Sequence, residues 1–135
     1  MSQENVEIVR RMSIAFRNGD RAAAFEPVHP EIEMDATRGP IGELARVYNG
    51  TEDVARFWRE WLEAWGDQAY GEELIDAGNQ VVLSVTGHAL QGRGSGIEVG
   101  IPPYAWVMTL NGGKIVGAAM YMDKTEALEA TGLSE

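Results

Sequence analysis

The chain has 135 residues, with 11 basic against 21 acidic side chains for a net charge of -10, and no cysteine. That length suits one domain, residues 1–135, with a core that needs no staples, and the missing thiols exclude disulfides, thiolate metal sites and a cysteine nucleophile. The acidic balance disfavours nucleic acid and anionic membranes as partners, and the polar start MSQENVEIVRR offers no apolar run for a signal peptide or membrane span, so a cytoplasmic protein is expected.

Ser2 is placed to cap a first helix, in which Val6, Val9, Met12, Ser13 and Phe16 share a face before Asn18-Gly19 ends it. Asp20 then caps a shorter helix, RAAAFEPV, with Ala24, Phe25 and Val28 turned inward, and His29-Pro30 breaks it ahead of a strand, EIEMDA. In that strand Ile32 and Met34 share one face, Glu33 and Asp35 the other. TRGPIGELARVYNG carries Gly and Pro breakers and reads as a loop with room for a short strand.

The strongest pattern follows, in YNGTEDVARFWREWLEAW. Val54, Phe57, Trp58, Trp61, Leu62 and Trp65 recur on one helix face, while Glu52, Asp53, Arg56, Arg59, Glu60 and Glu63 take the remainder. Thr51 is placed to cap this helix and Gly66 to stop it. A face this rich in tryptophan covers something large and apolar, either a packed core or a ligand pocket.

The rest reads as β, in segments near 70 to 76, 80 to 91, 96 to 110 and 114 to 122, separated by Ala77-Gly78-Asn79, GRGSG and Asn111-Gly112-Gly113. Such turn chemistry joins antiparallel neighbours, so a meander of four strands is expected. Pro102-Pro103 inside the third segment marks a bend or bulge. Beyond it Trp106 and Met108, with Tyr121 on the next strand, suit an apolar outer face for a dimer. DKTEALEATG closes the chain as a short helix with a capping box, Asp123 and Glu126, and Gly132 as its stop. Helices first and antiparallel strands after make an α+β domain.

The helix ending FRNGD, then HPEIEMD, YNGTEDVARFWREWLEAW, LNGGKIV and the closing YMDKTEALEATGL together resemble the SnoaL-like (polyketide-cyclase-like) family of the nuclear transport factor 2-like superfamily. The resemblance covers nearly the whole chain. It implies a cone-shaped α+β barrel, with N-terminal helices packed on a curved antiparallel sheet and a short C-terminal helix. It also implies one pocket inside the cone and a homodimer through the outer sheet face. It fixes no chemistry, because such proteins include polyketide cyclases, ketosteroid isomerases, dehydratases, epoxide hydrolases and members without known activity.

Asp35 stands where ketosteroid-isomerase-like relatives place their general base, and Glu33 shares its strand face. Two carboxylates so placed repel, and repulsion or burial would raise at least one pKa above about 4, fitting it to move a proton beside a carbonyl or onto a leaving oxygen. The alternative is a solvated strand face, or carboxylates bonded to neighbouring amides and Arg38. Against the isomerase pattern, Met12 and Ala105 occupy the positions of the oxyanion donors; against the epoxide-hydrolase pattern, Met120, Gly87 and Ala89 replace the aspartates and arginine. Tyr48, Tyr104 and Ser13 are the hydroxyls that remain, and His88, central in a strand, serves either as acid/base or on the dimer side.

The expected pocket walls are Met12, Phe16, Trp58, Trp61, Trp65, Ala105, Val107 and Met120. His29 is assigned to local hydrogen bonding, and no histidine pair has ligand spacing, so neither a metal nor another cofactor is expected. GRGSG lacks the strand, helix and lysine of a phosphate loop and fits a hairpin. Two functions remain open. One is cofactor-free acid/base catalysis (isomerisation, cyclisation, elimination or hydration) on a hydrophobic substrate in the cone, with Asp35, Glu33, Tyr48 and His88 as the catalytic candidates. The other is a hydrophobic-ligand-binding or dimeric interaction protein of the same fold.

Overall fold

A computed structural model describes residues 2–39, 44–65, 72–85, 88–91, 98–101 and 104–133, with the backbone alone for 2, 17, 62–65, 88–91 and 98–101. The first helix, α1 (Ser2–Arg17), ends as the sequence demands. Gly19 turns left-handed at φ 75°, the Asp20 amide donates to Ala15 O at 2.9 Å and the Gly19 amide to Phe16 O at 3.1 Å, which together satisfy the last carbonyls. Val9 and Ser13 are buried on its inner face, with Val6, Met12 and Phe16 half-buried beside them. Asp20 caps α2 (Arg21–Phe25) by accepting from the Ala23 amide at 3.1 Å.

Strand β1 (Val28–Asp35) buries Ile32 and Met34 and leaves Glu33 exposed, the alternation expected of a half-buried strand. It begins earlier than expected and takes in His29-Pro30, where its pairing is irregular between Val28 and Glu33; His29 Nδ1 accepts from the Glu31 amide at 3.0 Å. A short β2 (Val47–Asn49) pairs with β1 and leads into α3 (Gly50–Trp65). Thr51 does not cap α3. The helix starts at Gly50, with φ 83°, and the Asp53 carboxylate accepts from the Asn49 amide at 3.0 Å, reaching back over the first turn.

Four more strands, β3 (Glu72–Ala77), β4 (Gln80–Val85), β7 (Tyr104–Asn111) and β8 (Lys114–Tyr121), complete a curved sheet in the order β2-β1-β8-β7-β4-β3, with β5 (His88–Gln91) and β6 (Glu98–Ile101) as a separate ribbon. The expected antiparallel meander is present as β3-β4-β7-β8. The sheet is open, with β2 and β3 at its edges, and one expectation is corrected: β1 joins β8 in parallel, so the sheet is not antiparallel throughout. The long segments 80 to 91 and 96 to 110 are each divided, into β4 and β5 and into β6 and β7; Val85 faces Tyr104 and His88 faces Ile101, so the divided pair keeps one register. The GRGSG turn, Pro102-Pro103 and Gly66 lie outside the described residues.

The sheet has two apolar faces, and β7 supplies both. Tyr104, Trp106, Met108 and Leu110 join the main core with Val81, Leu83 and Val85 of β4. Ala105 and Val107 point the other way and pack with Val82 under Ala127 and Leu128 of α4 (Lys124–Ala130). This reverses the expected phase: Trp106 and Met108 are interior, and Ala105 and Val107 are not pocket walls. The size of the side chains explains it, since small residues let a short helix lie close on the outer face while the large ones fill the volume under α3. Helix α4 carries the expected capping box in a shifted form, with Asp123 accepting from the Glu126 amide at 2.9 Å and Glu126 accepting from Met122 rather than from the cap residue.

Candidate functional site

The interior between α1, α3 and the sheet is an aromatic cluster. Phe16 lies against Trp58 with ring centroids 4.5 Å apart, and Trp58 meets Trp106 at 5.6 Å and Phe57 at 4.8 Å. Trp61 packs on Tyr104 at 5.5 Å. Edge and tilted contacts of this kind hold large rings in place from different elements without fusing them into a solid block.

Two small cavities of about 40 Å³ each remain beside the cluster, and Met12, Phe16, Trp58, Trp106 and Met108 border both. The first continues toward Ile32, Met34 and Ile115 and is apolar throughout. The second reaches Leu83, Val85 and Tyr104 and has a polar end, where Ser13 Oγ donates to Glu72 Oε2 at 2.5 Å. Glu72 is the one carboxylate among the described residues that line either space. Met12 also borders an open groove of about 330 Å³ with Ile8, Arg11, Glu26 and Lys114, so its side chain stands between the outer surface and both interior cavities.

The expected site residues separate into distinct places. Met12, Phe16 and Trp58 line the cavities, while Trp61 and Met120, both 2% exposed, are packed in the core behind them. Asp35 and Glu33 lie on the face of β1 opposite Ile32 and Met34, outside the cavity linings. Asp35 Oδ1 accepts from the Thr37 hydroxyl at 2.6 Å and from the Thr37 amide at 2.9 Å. The Thr37 hydroxyl, then its amide, and the charge of Arg38 hold the Asp35 carboxyl below its ordinary value against a smaller opposing effect of burial. The expected rise is therefore corrected to a fall, because hydrogen bonds to the charged form outweigh desolvation at this half-buried position.

Tyr48 is fully buried, but its hydroxyl donates to Leu44 O at 3.0 Å, its ring meets Phe57 at 5.0 Å and the Arg46 guanidinium lies 4.5 Å from its centroid. That phenol closes the loop ahead of β2 and is not among the cavity-lining groups. The side chains of His88 and Trp65 lie outside the described residues. Among the described residues no three carboxylates or histidines gather as metal ligands would.

Sequence reasoning missed Glu72, although its alternation with Leu74, which packs on the main core, was a signal. Glu73 beside it points outward to Lys124 at 3.0 Å, and only the pairing of Glu72 with Val85 shows which glutamate turns in.

Residues 9–118 match the family model of a SnoaL-like domain. No match is found among curated proteins. Solved structures share the fold at low identity. An NTF2-like protein of unknown function from Burkholderia pseudomallei superposes with a TM-score of 0.72 at 19% identity, over 93% of this chain and 95% of that one. TerC co-crystallised with polyporic acid gives 0.71 at 19% identity, over 96% and 98%. A Catenulispora acidiphila protein with a ketosteroid-isomerase-like fold, in complex with trimethylamine, gives 0.66 at 15% identity, over 94% and 93%.

Proposed function

From the premise that this chain belongs to the SnoaL-like domain family, we propose that it binds a small, largely hydrophobic molecule in the aromatic interior between α1, α3 and the sheet. The observation that carries this reading is the pair of apolar cavities sharing Met12, Phe16, Trp58, Trp106 and Met108, with one polar end at Ser13 and Glu72. An apolar enclosure with a few convergent polar groups is the usual form of a small-molecule site. Each cavity is much smaller than the 300–1,000 Å³ or so of a drug-sized site, so the bound state needs side-chain movement. The unbranched thioethers of Met12 and Met108 supply it at little torsional cost. Two structural neighbours hold small organic molecules, polyporic acid and trimethylamine, which supports an organic ligand for this fold.

Acid/base chemistry on that ligand is the second reading, and Glu72 favours it. A carboxylate at the wall of an apolar cavity, with a hydroxyl 2.5 Å away, is suited to take or return a proton. Asp35 is not carried into it, because its carboxyl is engaged by Thr37 on the other face of β1. Isomerisation, cyclisation, elimination and hydration all fit one interior base, and no cofactor is invoked.

Titration with toluene or indole, followed by the methyl signals of Met12 and Met108, tests the binding reading. Saturable shifts at those methyls are expected, and their absence overturns it. Deuterium exchange beside the carbonyl of a small hydrophobic ketone tests the catalytic reading: protein-dependent exchange that is lost in Glu72→Gln supports it, and no exchange above background sinks it. A homodimer belongs to the same proposal, through the outer sheet face beyond α4, where Gly117, Ala119 and Tyr121 are half-buried in the single chain. Sedimentation tests that. No helix among the described residues is long and apolar enough to cross a membrane, and the proposed cytoplasmic location rests on charge and composition.

A further inference from the structure

We propose that the groove outside Met12 is the mouth of this interior and that the ligand is a hydrophobic monocarboxylate, its apolar body inside and its carboxylate at Arg11 and Lys114. The inference rests on the binding reading above and adds a route and a head group to it. Ile8, Arg11, Met12, Glu26, Pro27 and Lys114 border the groove, whose volume of about 330 Å³ is that of a small-molecule site, whereas each interior space is about 40 Å³. Little structure separates the groove from the apolar cavity. Met12 borders both, and the five-residue helix α2 presents Ala23 to the groove and Ala24 and Phe25 to the cavity. Met12 is half-buried and its side chain is unbranched, so a change of rotamer joins the groove to the interior while the ring cluster stays in place. The volume it vacates adjoins both cavities, and this is the side-chain movement that spaces so small require of a bound state.

Polarity sorts the two ends of such a ligand. The cavity beyond Met12 and α2 is apolar throughout, and a carboxylate placed there would lose its hydration without gaining a partner. The groove offers cations instead. Lys114 Nζ donates to Glu26 O at 2.9 Å, which holds the ammonium in position with two further N–H donors to give. The Ile115 amide donates to Pro27 O at 2.7 Å and fixes the start of β8 against the segment that follows α2. Arg10 is paired with Glu7 at 2.6 Å, but Arg11 has neither a hydrogen bond nor an ion pair among the described residues. The Glu26 side chain also borders the groove, so two cations face one carboxylate, a balance that suits a single negative charge on the ligand. The net charge of -10 on the chain as a whole opposes a polyanion.

The test is titration of the whole protein with octanoate and, separately, with its neutral amide, octanamide, followed by the methyl signals of Met12 and Met108. Toluene serves as the control for the interior itself. The proposal expects both methyls to shift with octanoate, and octanoate to bind about fivefold or more tighter than octanamide. The double variant Arg11→Gln, Lys114→Gln, verified as folded by circular dichroism, is expected to lose that preference and to bind octanamide as before. Salt gives the same answer without a variant, since the preference should shrink between about 0.01 and 1 M ionic strength, where the screening length falls from about 30 to 3 Å. Equal binding of acid and amide, a preference that survives the double variant or is indifferent to salt, or octanoate binding that shifts neither methyl overturns the proposal. If toluene still shifts both methyls, the hydrophobic interior stands. Failure of toluene overturns the interior site on which the proposal rests.

Discussion

Ser13 on α1 and Glu72 on β3 are 59 positions apart in the chain, yet Ser13 Oγ lies 2.5 Å from Glu72 Oε2. Their contact ties the N-terminal helix to the edge strand of the sheet at the polar end of an otherwise apolar cavity. Replacing Ser13 by alanine removes a donor from a carboxylate that stays in place. The expected cost is about 1–2 kcal/mol, read as a lower urea midpoint with an unchanged slope. In a double-mutant cycle with Glu72→Gln the two losses are expected to fall short of additivity by about 0.5 kcal/mol or more. Strict additivity would show that the contact carries no energy.

Asp35 gives a pH-dependent prediction. Its carboxyl is held below the ordinary value of 3.8, first by the Thr37 hydroxyl and then by the Thr37 amide. A lowered folded-state pKa contributes stability that is present above the unfolded value and lost as pH falls through the folded one. Thr37→Ala should therefore cost about 0.5–1.5 kcal/mol at neutral pH, and the gap to the unaltered protein should narrow as the pH drops below 3.8. Urea unfolding at neutral and acid pH checks it, and a gap that widens in acid would contradict the assignment.

Trp106 bridges the two cavities and packs against both Phe57 and Trp58, at 6.0 and 5.6 Å. Trp106→Ala should cost about 3–5 kcal/mol, because the rings around it come from different elements and relax only in part. If the variant remains folded, the enlarged interior should take up toluene more tightly, as methyl shifts would show. The neighbouring Val107→Ala should be milder and leave toluene binding unchanged, since Val107 packs on the opposite face under α4.

Gly39 lies against Met120. A Cβ at position 39 would meet Met120 Sδ at 2.6 Å and Ala36 O at 3.2 Å. Gly39→Ala should destabilise by about 1–3 kcal/mol, the usual cost of overpacking. In a Met120→Ala background the same change should cost distinctly less, because the nearer obstacle is then gone. An equal cost in both backgrounds, measured by thermal unfolding, would place the strain in the backbone instead.

Helix positions were legible in the chain because they depend on local chemistry. The α3 stripe, the Asp20 cap, the Asn18-Gly19 stop and the Asp123 and Glu126 box each need only neighbouring residues to form. The inward face of β1 was legible too, since Glu33 and Asp35 mark the outside as clearly as Ile32 and Met34 mark the inside. The family followed from those segments taken together.

The phase of β7 was decided only in three dimensions. YAWVM, Tyr104 to Met108, is apolar on both faces, so alternation there has no polar residue to mark solvent, and either phase reads equally well. Pairing Tyr104 with Val85 and laying α4 over Ala105 and Val107 settle it. Glu72 and Glu73 pose the same problem in β3, and only the fold distinguishes the carboxylate that meets Ser13 from the one that meets Lys124. Local propensity sets which residues form an element, but the side on which a doubly apolar strand buries its large residues depends on what packs against each face, and those partners come from distant parts of the chain.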